Sequence, residues 1–251
     1  MKIGVADYGM NVWYGGCYDL ELRLKALKEI GYNGIERLDG AVSADDAMHK
    51  AAIFRKLGMD FATCRGPNNE ACIQWTAALG KEYIWIAVPA TGERNMDKYC
   101  RQANALAEAC AAWNVKAVVH NHLGQTVEKQ SELETFLKNC PDCGLLLDTG
   151  HLAAAGGDCL QIVEKYFDRI VSVHVKDYLL LKPEAGLDNF RERGRFCELG
   201  AGNINLDNGA IMKLLAKKGY NGWFLVEHDT HLQEPLKDLA ISREYIRKTG
   251  F

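Results

Sequence analysis

A chain of 251 residues that is 48% hydrophobic is long enough to bury a substantial core, and its net charge of −3 offers no basic field for nucleic acid or an anionic membrane. No apolar run approaches membrane-spanning length, and the opening Met-Lys-Ile-Gly-Val-Ala-Asp begins as a strand rather than as a charged leader, so a cytoplasmic protein is expected. Nine cysteines, an odd number scattered through apolar periodic segments, argue for buried free thiols rather than a disulfide framework.

Strand-like runs begin near Ile3, Ile35, Met59, Tyr83, Lys116, Gly144, Ile170 and Trp223. Helical periodicity fills the intervals: Leu24, Leu27 and Ile30 share one face, as do Met96, Tyr99, Cys100, Ala103, Leu106, Ala107 and Cys110, and later Ile211, Leu214 and Leu215. Gly31, Gly58, Gly80 and Gly219 follow such segments and read as left-handed helix caps. Cys140 and Cys143 form the one C-x-x-C pair, in a helix-to-strand loop that suits neither a structural zinc nor a redox site.

Eight strand–helix alternations with no linker predict a single domain over 1–251, a (β/α)8 TIM barrel in the α/β class. A doubly wound open sheet is the alternative, but Ala6-Asp7-Tyr8-Gly9-Met10 stands where its phosphate-binding glycines would be. The interval from Asp177 to Trp223 exceeds a loop plus one helix, so Tyr178 to Leu206 is expected to form an inserted loop after strand 7, at the mouth where barrel enzymes keep their sites.

Four strands end in the same way. Lys-Ala-Val-Val-His-Asn-His (116–122), Gly-Leu-Leu-Leu-Asp-Thr-Gly-His (144–151), Ile-Val-Ser-Val-His-Val-Lys-Asp (170–177) and Trp-Phe-Leu-Val-Glu-His-Asp (223–229) run apolar and then present His, Asp or Glu. His120, His122, His151, His174 and His228, five of the seven histidines, lie at or just past these ends. Residues two apart on a strand share a facing, which pairs His120 with His122, His174 with Lys176, and Glu227 with Asp229. His120, Asp148, His174 and Glu227 therefore converge on one spot, a mixed nitrogen and oxygen set suited to one divalent ion, with manganese, cobalt or zinc ahead of magnesium or iron. Any one such residue is ordinarily a cap or loop anchor. Two carboxylates and several imidazoles in one cavity would cost several kcal/mol without a cation, on the order of the penalty per buried ion.

With these residues in view the chain resembles the xylose isomerase-like TIM barrels, which include sugar isomerases and epimerases, hydroxypyruvate isomerase, inosose dehydratase and the endonuclease IV group. The motifs that carry the resemblance are Asp148-Thr-Gly-His151 with Ala155-Gly-Gly-Asp158, His174-Val-Lys-Asp177, Glu198-Leu-Gly-Ala-Gly-Asn-Ile-Asn205, and Gly219-Tyr-Asn-Gly with Val226-Glu227. The resemblance implies metal ligands at Asp148, His174 and Glu227. At the fifth strand the family's isomerases read Glu-Asn-His, whereas His120-Asn121-His122 looks more like the His-His-His of inosose dehydratases.

That departure removes one carboxylate from the pair that epimerases use, and it leans the expectation toward isomerase or lyase chemistry on a keto-sugar or keto-cyclitol. The resemblance makes Glu227 the candidate base, with His120 second, and His122, His151 and Lys176 are placed to act as acids. Lys176 has an equal alternative as a plain counter-ion to Asp177 or Glu227. Glu36, Glu198 and Arg195 are candidate substrate contacts, and Tyr8, Trp13 and Arg65 candidate pocket walls. The expected partner is a small carbohydrate, with no nucleic acid and no membrane, and a homo-oligomer is compatible. Two other readings stand beside this one: a metallophosphoesterase like the endonuclease IV branch, and a non-catalytic sugar-binding subunit on the same fold.

Overall fold

The computed structural model describes residues 1–17, 19–38, 41–87, 94–231 and 233–251. Its strands are β1 (Lys2–Ala6), β2 (Gly34–Leu38), β3 (Asp60–Cys64), β4 (Tyr83–Trp85), β5 (Lys116–His120), β6 (Gly144–Asp148), β7 (Ile170–Val175), β8 (Asp177–Leu180), β9 (Gly194–Cys197) and β10 (Trp223–Glu227). Eight of them form one parallel sheet in the order β3-β2-β1-β10-β7-β6-β5-β4, a TIM barrel closed except at the seam between β3 and β4. There the Thr63 hydroxyl donates to the Tyr83 carbonyl, a side-chain stitch in place of a backbone ladder. The expected eight strand starts are met to within a residue or so.

Alternation along each strand divides the core in two. Outward residues such as Val5, Ile35, Val119, Leu145, Leu147, Val173 and Phe224 pack on the helices in the main core. Inward residues Ala6, Ala62, Tyr83, Val118, Leu146, Trp223 and Leu225 fill the barrel itself, so it is a packed interior and not a pore. Large and small residues complement one another here. A Cβ on Gly4 would lie 2.8 Å from the Trp223 ring, so the indole occupies the space that β1 leaves free.

The helices start and stop as side chains dictate. Asp19, Ser43, Asn68, Asn95, Asp158 and Asp207 each accept an N-terminal backbone N–H, while Gly31 and Gly58 close their helices with positive φ. All nine cysteines are free, and Cys140 and Cys143 are buried against the helix Met96–Ala111 through the carbonyls of Cys100 and Ala103. The insertion after β7 is more ordered than a loop: β8 and β9 form an antiparallel hairpin whose Tyr178 and Phe196 pack with Leu123 and Ala154 in a small core of their own. No helix among the described residues is long and apolar enough to cross a membrane.

Candidate metal and catalytic site

The site grows out of the C-terminal ends of β5, β6, β7 and β10. Register places Asp148 beside His174, His174 beside Leu225 and His120 beside Leu146, so the strand ends deliver their last inward side chains to one level. One ligand atom from each of His120, Asp148, His174 and Glu227 lies within 4.8 Å of the other three, and all four residues are buried. The four ligands expected from the sequence are therefore together.

Asp148 divides its carboxylate. Its Oδ1 accepts the His151 N–H at 2.8 Å and caps the short helix Thr149–Ala154, which leaves Oδ2 facing His120 Nε2 at 3.3 Å and His174 Nδ1 at 3.5 Å. His174 Nδ1 is also 2.8 Å from Glu227 Oε2, and its Nε2 is 3.1 Å from Glu36 Oε2. Neither His174 nitrogen nor Glu227 Oε2 makes a hydrogen bond of acceptable geometry, although all three are buried. Within the four, His120 and Asp148 share a hydrogen bond while His174 has none, and two imidazoles with two carboxylates make a donor set that could hold manganese, cobalt, zinc or iron.

Charge is concentrated to match. Burial pushes the His120 ring down to about 4, against the pull of Asp148, so it is a neutral imidazole with a free lone pair at ordinary pH. His174 goes the other way: burial lowers it, but Glu227 and Glu36 outweigh burial and raise it well above the usual histidine range. Burial also opposes ionisation of Asp148 and Glu227, yet the Lys176 ammonium holds both well below the ordinary carboxylate range.

Lys176 is fully buried and reaches into the centre of the cluster, with Nζ 3.0 Å from Asp148 Oδ2, 2.7 Å from Glu227 Oε2 and 3.3 Å from Asp229 Oδ1. It does not neutralise Asp177, whose carboxylate instead accepts the N–H groups of Tyr178 and Gly200 and anchors the insertion. Gly150 makes this possible by leaving space for the lysine stem. It is helical, and a Cβ there would come within 2.8 Å of the lysine stem.

His151 sits between two donors. The Leu123 N–H points to Nδ1 at 3.3 Å and the Lys176 ammonium lies 3.0 Å from Nε2, whereas a neutral imidazole has one lone pair to offer. Asp229 Oδ2 lies 3.4 Å from Nε2 as well. Burial and the lysine keep His151 well below the ordinary histidine range. His122 stacks on it at 3.7 Å between ring centres and donates Nδ1–H to the Leu123 carbonyl, so its Nε2 is left as an acceptor.

The expected substrate contacts fare differently. Glu36 is 1% exposed and holds the far side of His174 while accepting from Trp85 Nε1 at 3.0 Å, so it backs a ligand instead of facing a substrate. Arg195 is exposed, because alternation along β9 turns its neighbour Phe196 inward, against His151 and under the Lys176 ammonium. Glu198 is half-buried beyond β9 and has no side-chain hydrogen bond to the cluster among the described residues. Tyr8 and Trp13 are exposed on the helix after β1, and Arg65 is exposed immediately after β3.

Sequence reasoning missed the residues that hold the ligands in place. Asn121 makes a two-point clamp on Asp148, donating to its carbonyl and accepting its N–H, both at 2.9 Å. Thr149 and Asn208 tie β7 to the helix Asn208–Lys217: the threonine hydroxyl donates to Asn208 Oδ1 at 2.7 Å and Asn208 donates to the Lys176 carbonyl. Trp85 covers the ligand imidazoles, with ring centres 4.7 Å from His120 and 5.7 Å from His174.

Comparison with known proteins places this barrel in a family. The profile of the xylose isomerase-like TIM barrel family matches residues 67–249, and the chain belongs to that family. An inosose dehydratase of Lactiplantibacillus plantarum is 30% identical over 240 residues, covering 92% of this chain and 78% of the relative. An inosose dehydratase of Klebsiella pneumoniae is 30% identical over 211 residues, covering 76% and 69%. Among solved structures, the 3-keto-D-glucoside 4-epimerase of E. coli superposes with a TM-score of 0.72 at 17% identity over 99% of each chain.

Proposed function

We propose that the chain is a divalent-metal-dependent enzyme that removes a proton next to the carbonyl of a keto-sugar or keto-cyclitol, with dehydration of an inosose-like substrate as its reaction. The observation that carries this reading is the buried convergence of His120, Asp148, His174 and Glu227, in which neither nitrogen of the central His174 has a hydrogen-bond partner. His120, Asp148, His174 and Glu227 would hold the divalent ion, whose chemistry when bound would be to polarise a carbonyl and so acidify the neighbouring C–H. Glu227 is the base at the edge of that cluster, and Lys176 at 2.7 Å stabilises it as the carboxylate that accepts the proton. Dehydration also needs a proton for the departing hydroxyl. The Lys176 ammonium, 3.0 Å from His151 Nε2, passes that proton through the neutral imidazole, with Asp229 beside the ring and His122 stacked on it; the hydroxyl leaves as water, and the proton taken up by Glu227 returns to Lys176 across 2.7 Å. Phe196 and Trp85 wall off solvent above and beside the imidazoles. The inosose dehydratase names of the two relatives and His120 in place of a second glutamate support elimination over epimerisation.

A multi-metal phosphoesterase is disfavoured. The neighbouring group His122, His151 and Asp229 could hold a second ion, but the chain's net charge of −3 offers little affinity for a nucleic-acid phosphate. The test is incubation with 2-keto-myo-inositol and simple ketoses in deuterated water. Metal-loaded protein is expected to wash deuterium into the carbon next to the carbonyl and to eliminate water from the cyclitol. Neither exchange nor turnover over the panel would favour the sugar-binding reading.

A further inference from the structure

A second set of ligand-type side chains lies between the end of β10 and the C-terminal helix. Alternation that turns Glu227 and Asp229 into the mouth turns His228 outward, toward the C-terminal helix Pro235–Thr249. There one ligand atom each from His228, His231 and Asp238 lies within 4.8 Å of the others. His231 Nδ1 is 3.0 Å from Asp238 Oδ2, close to the roughly 3.3 Å that separates two ligands on a tetrahedral zinc with bonds of about 2 Å.

Two atoms in this group have no partner although their residues are each 2% exposed: His228 Nδ1 and Asp238 Oδ1. His228 is oriented from behind. Its Nε2 is 3.2 Å from Ser242 Oγ, which also accepts the Leu199 N–H at 3.1 Å, and a ring that gives its proton to the serine presents Nδ1 as a bare lone pair. Among the described residues Asp238 has no lysine or arginine partner, and the ring it meets is that of His231 itself. The backbone leaves room for this: a Cβ on Gly9 would sit 3.0 Å from the His231 ring.

We propose that His228, His231 and Asp238 form a second divalent-cation site, zinc by its donors, that pins the loop after β10 to the C-terminal helix. Two imidazoles and one carboxylate leave a fourth position for water. The loop it fixes carries Asp229, so the ion would steady the mouth without touching substrate.

Untagged, metal-stripped protein titrated with Co2+ reads the site by stoichiometry and by the visible absorption of tetrahedral cobalt. In a His174→Ala background, which cripples the mouth, addition of His231→Ala is expected to remove one further equivalent and its absorption, with the far-ultraviolet circular dichroism unchanged. In the otherwise wild-type protein, His231→Ala alone is expected to remove one equivalent and leave the mouth's ion. Equal cobalt binding with and without His231, in folded protein of either background, overturns the proposal, as does failure of Asp238→Asn to weaken that equivalent at least 10-fold. The mouth's own stoichiometry is read separately, so loss of the functional reading above would not imitate either result.

Discussion

The two ends of the barrel treat charge in opposite ways. At the N-terminal end of the strands, Asp60 pairs with Lys2 at 2.6 Å and with Lys81, and its side chain is 32% exposed. At the C-terminal end, Asp148, His174 and Lys176 are fully buried, packed among Glu36, His120, His151 and Glu227. Water and mobile partners make the first arrangement nearly free of cost, whereas the second persists only if its members are paired, ligated or used. The same eight strands thus carry a solvated rim at one end and a stressed, chemically loaded one at the other.

The contrast can be broken by substitution, and the mouth should respond most. His151→Ala breaks the proton path from Lys176 while leaving Asp148, His174, His120 and Glu227 intact, so turnover is expected to fall by about 10² to 10⁴ with metal content unchanged. Steady-state kinetics alongside elemental analysis separates the two, and loss of the ion together with activity would make His151 a ligand. At the other rim, Asp60→Asn is expected to cost only about 0.5–1 kcal/mol and to spare activity. Burial pushes the Asp60 carboxyl up, but hydrogen bonds from Lys2 and Lys81 outweigh it and hold it below the usual range. A depressed carboxyl stabilises the fold above its unfolded-state value and loses that effect as pH falls through its folded value. The difference between wild type and Asp60→Asn in urea melts should therefore be largest near neutrality and vanish on acidification. A difference that grows in acid would contradict the pairing.

Much of this was legible in the sequence because the signals were local. Each barrel strand is an apolar run ended by a polar group, and period-two alternation fixes which side chains share a facing, so His120, Asp148, His174 and Glu227 could be placed together before any coordinates. The same alternation, followed one residue further, would have separated His228 from the mouth histidines. What stayed hidden is set by packing across the sheet. Glu36 lies on β2, and nothing in Gly-Ile-Glu tells which side of the His174 ring its carboxylate will meet. Asn121, Thr149 and Asn208 act through hydrogen bonds between residues 27 to 59 positions apart, a separation at which no motif registers. In the insertion, the hairpin register turned Phe196 inward and Arg195 out, and the stretch has no periodicity from which to read that register.

Manganese binding to metal-stripped wild type and Asp148→Asn, followed by electron paramagnetic resonance, tests the proposed metal centre at the mouth directly. About one tight ion is expected at the mouth of the wild type, and its loss in the variant, with the fold retained. Folded wild-type protein that takes up no manganese, or a variant that binds it as tightly, would contradict that assignment.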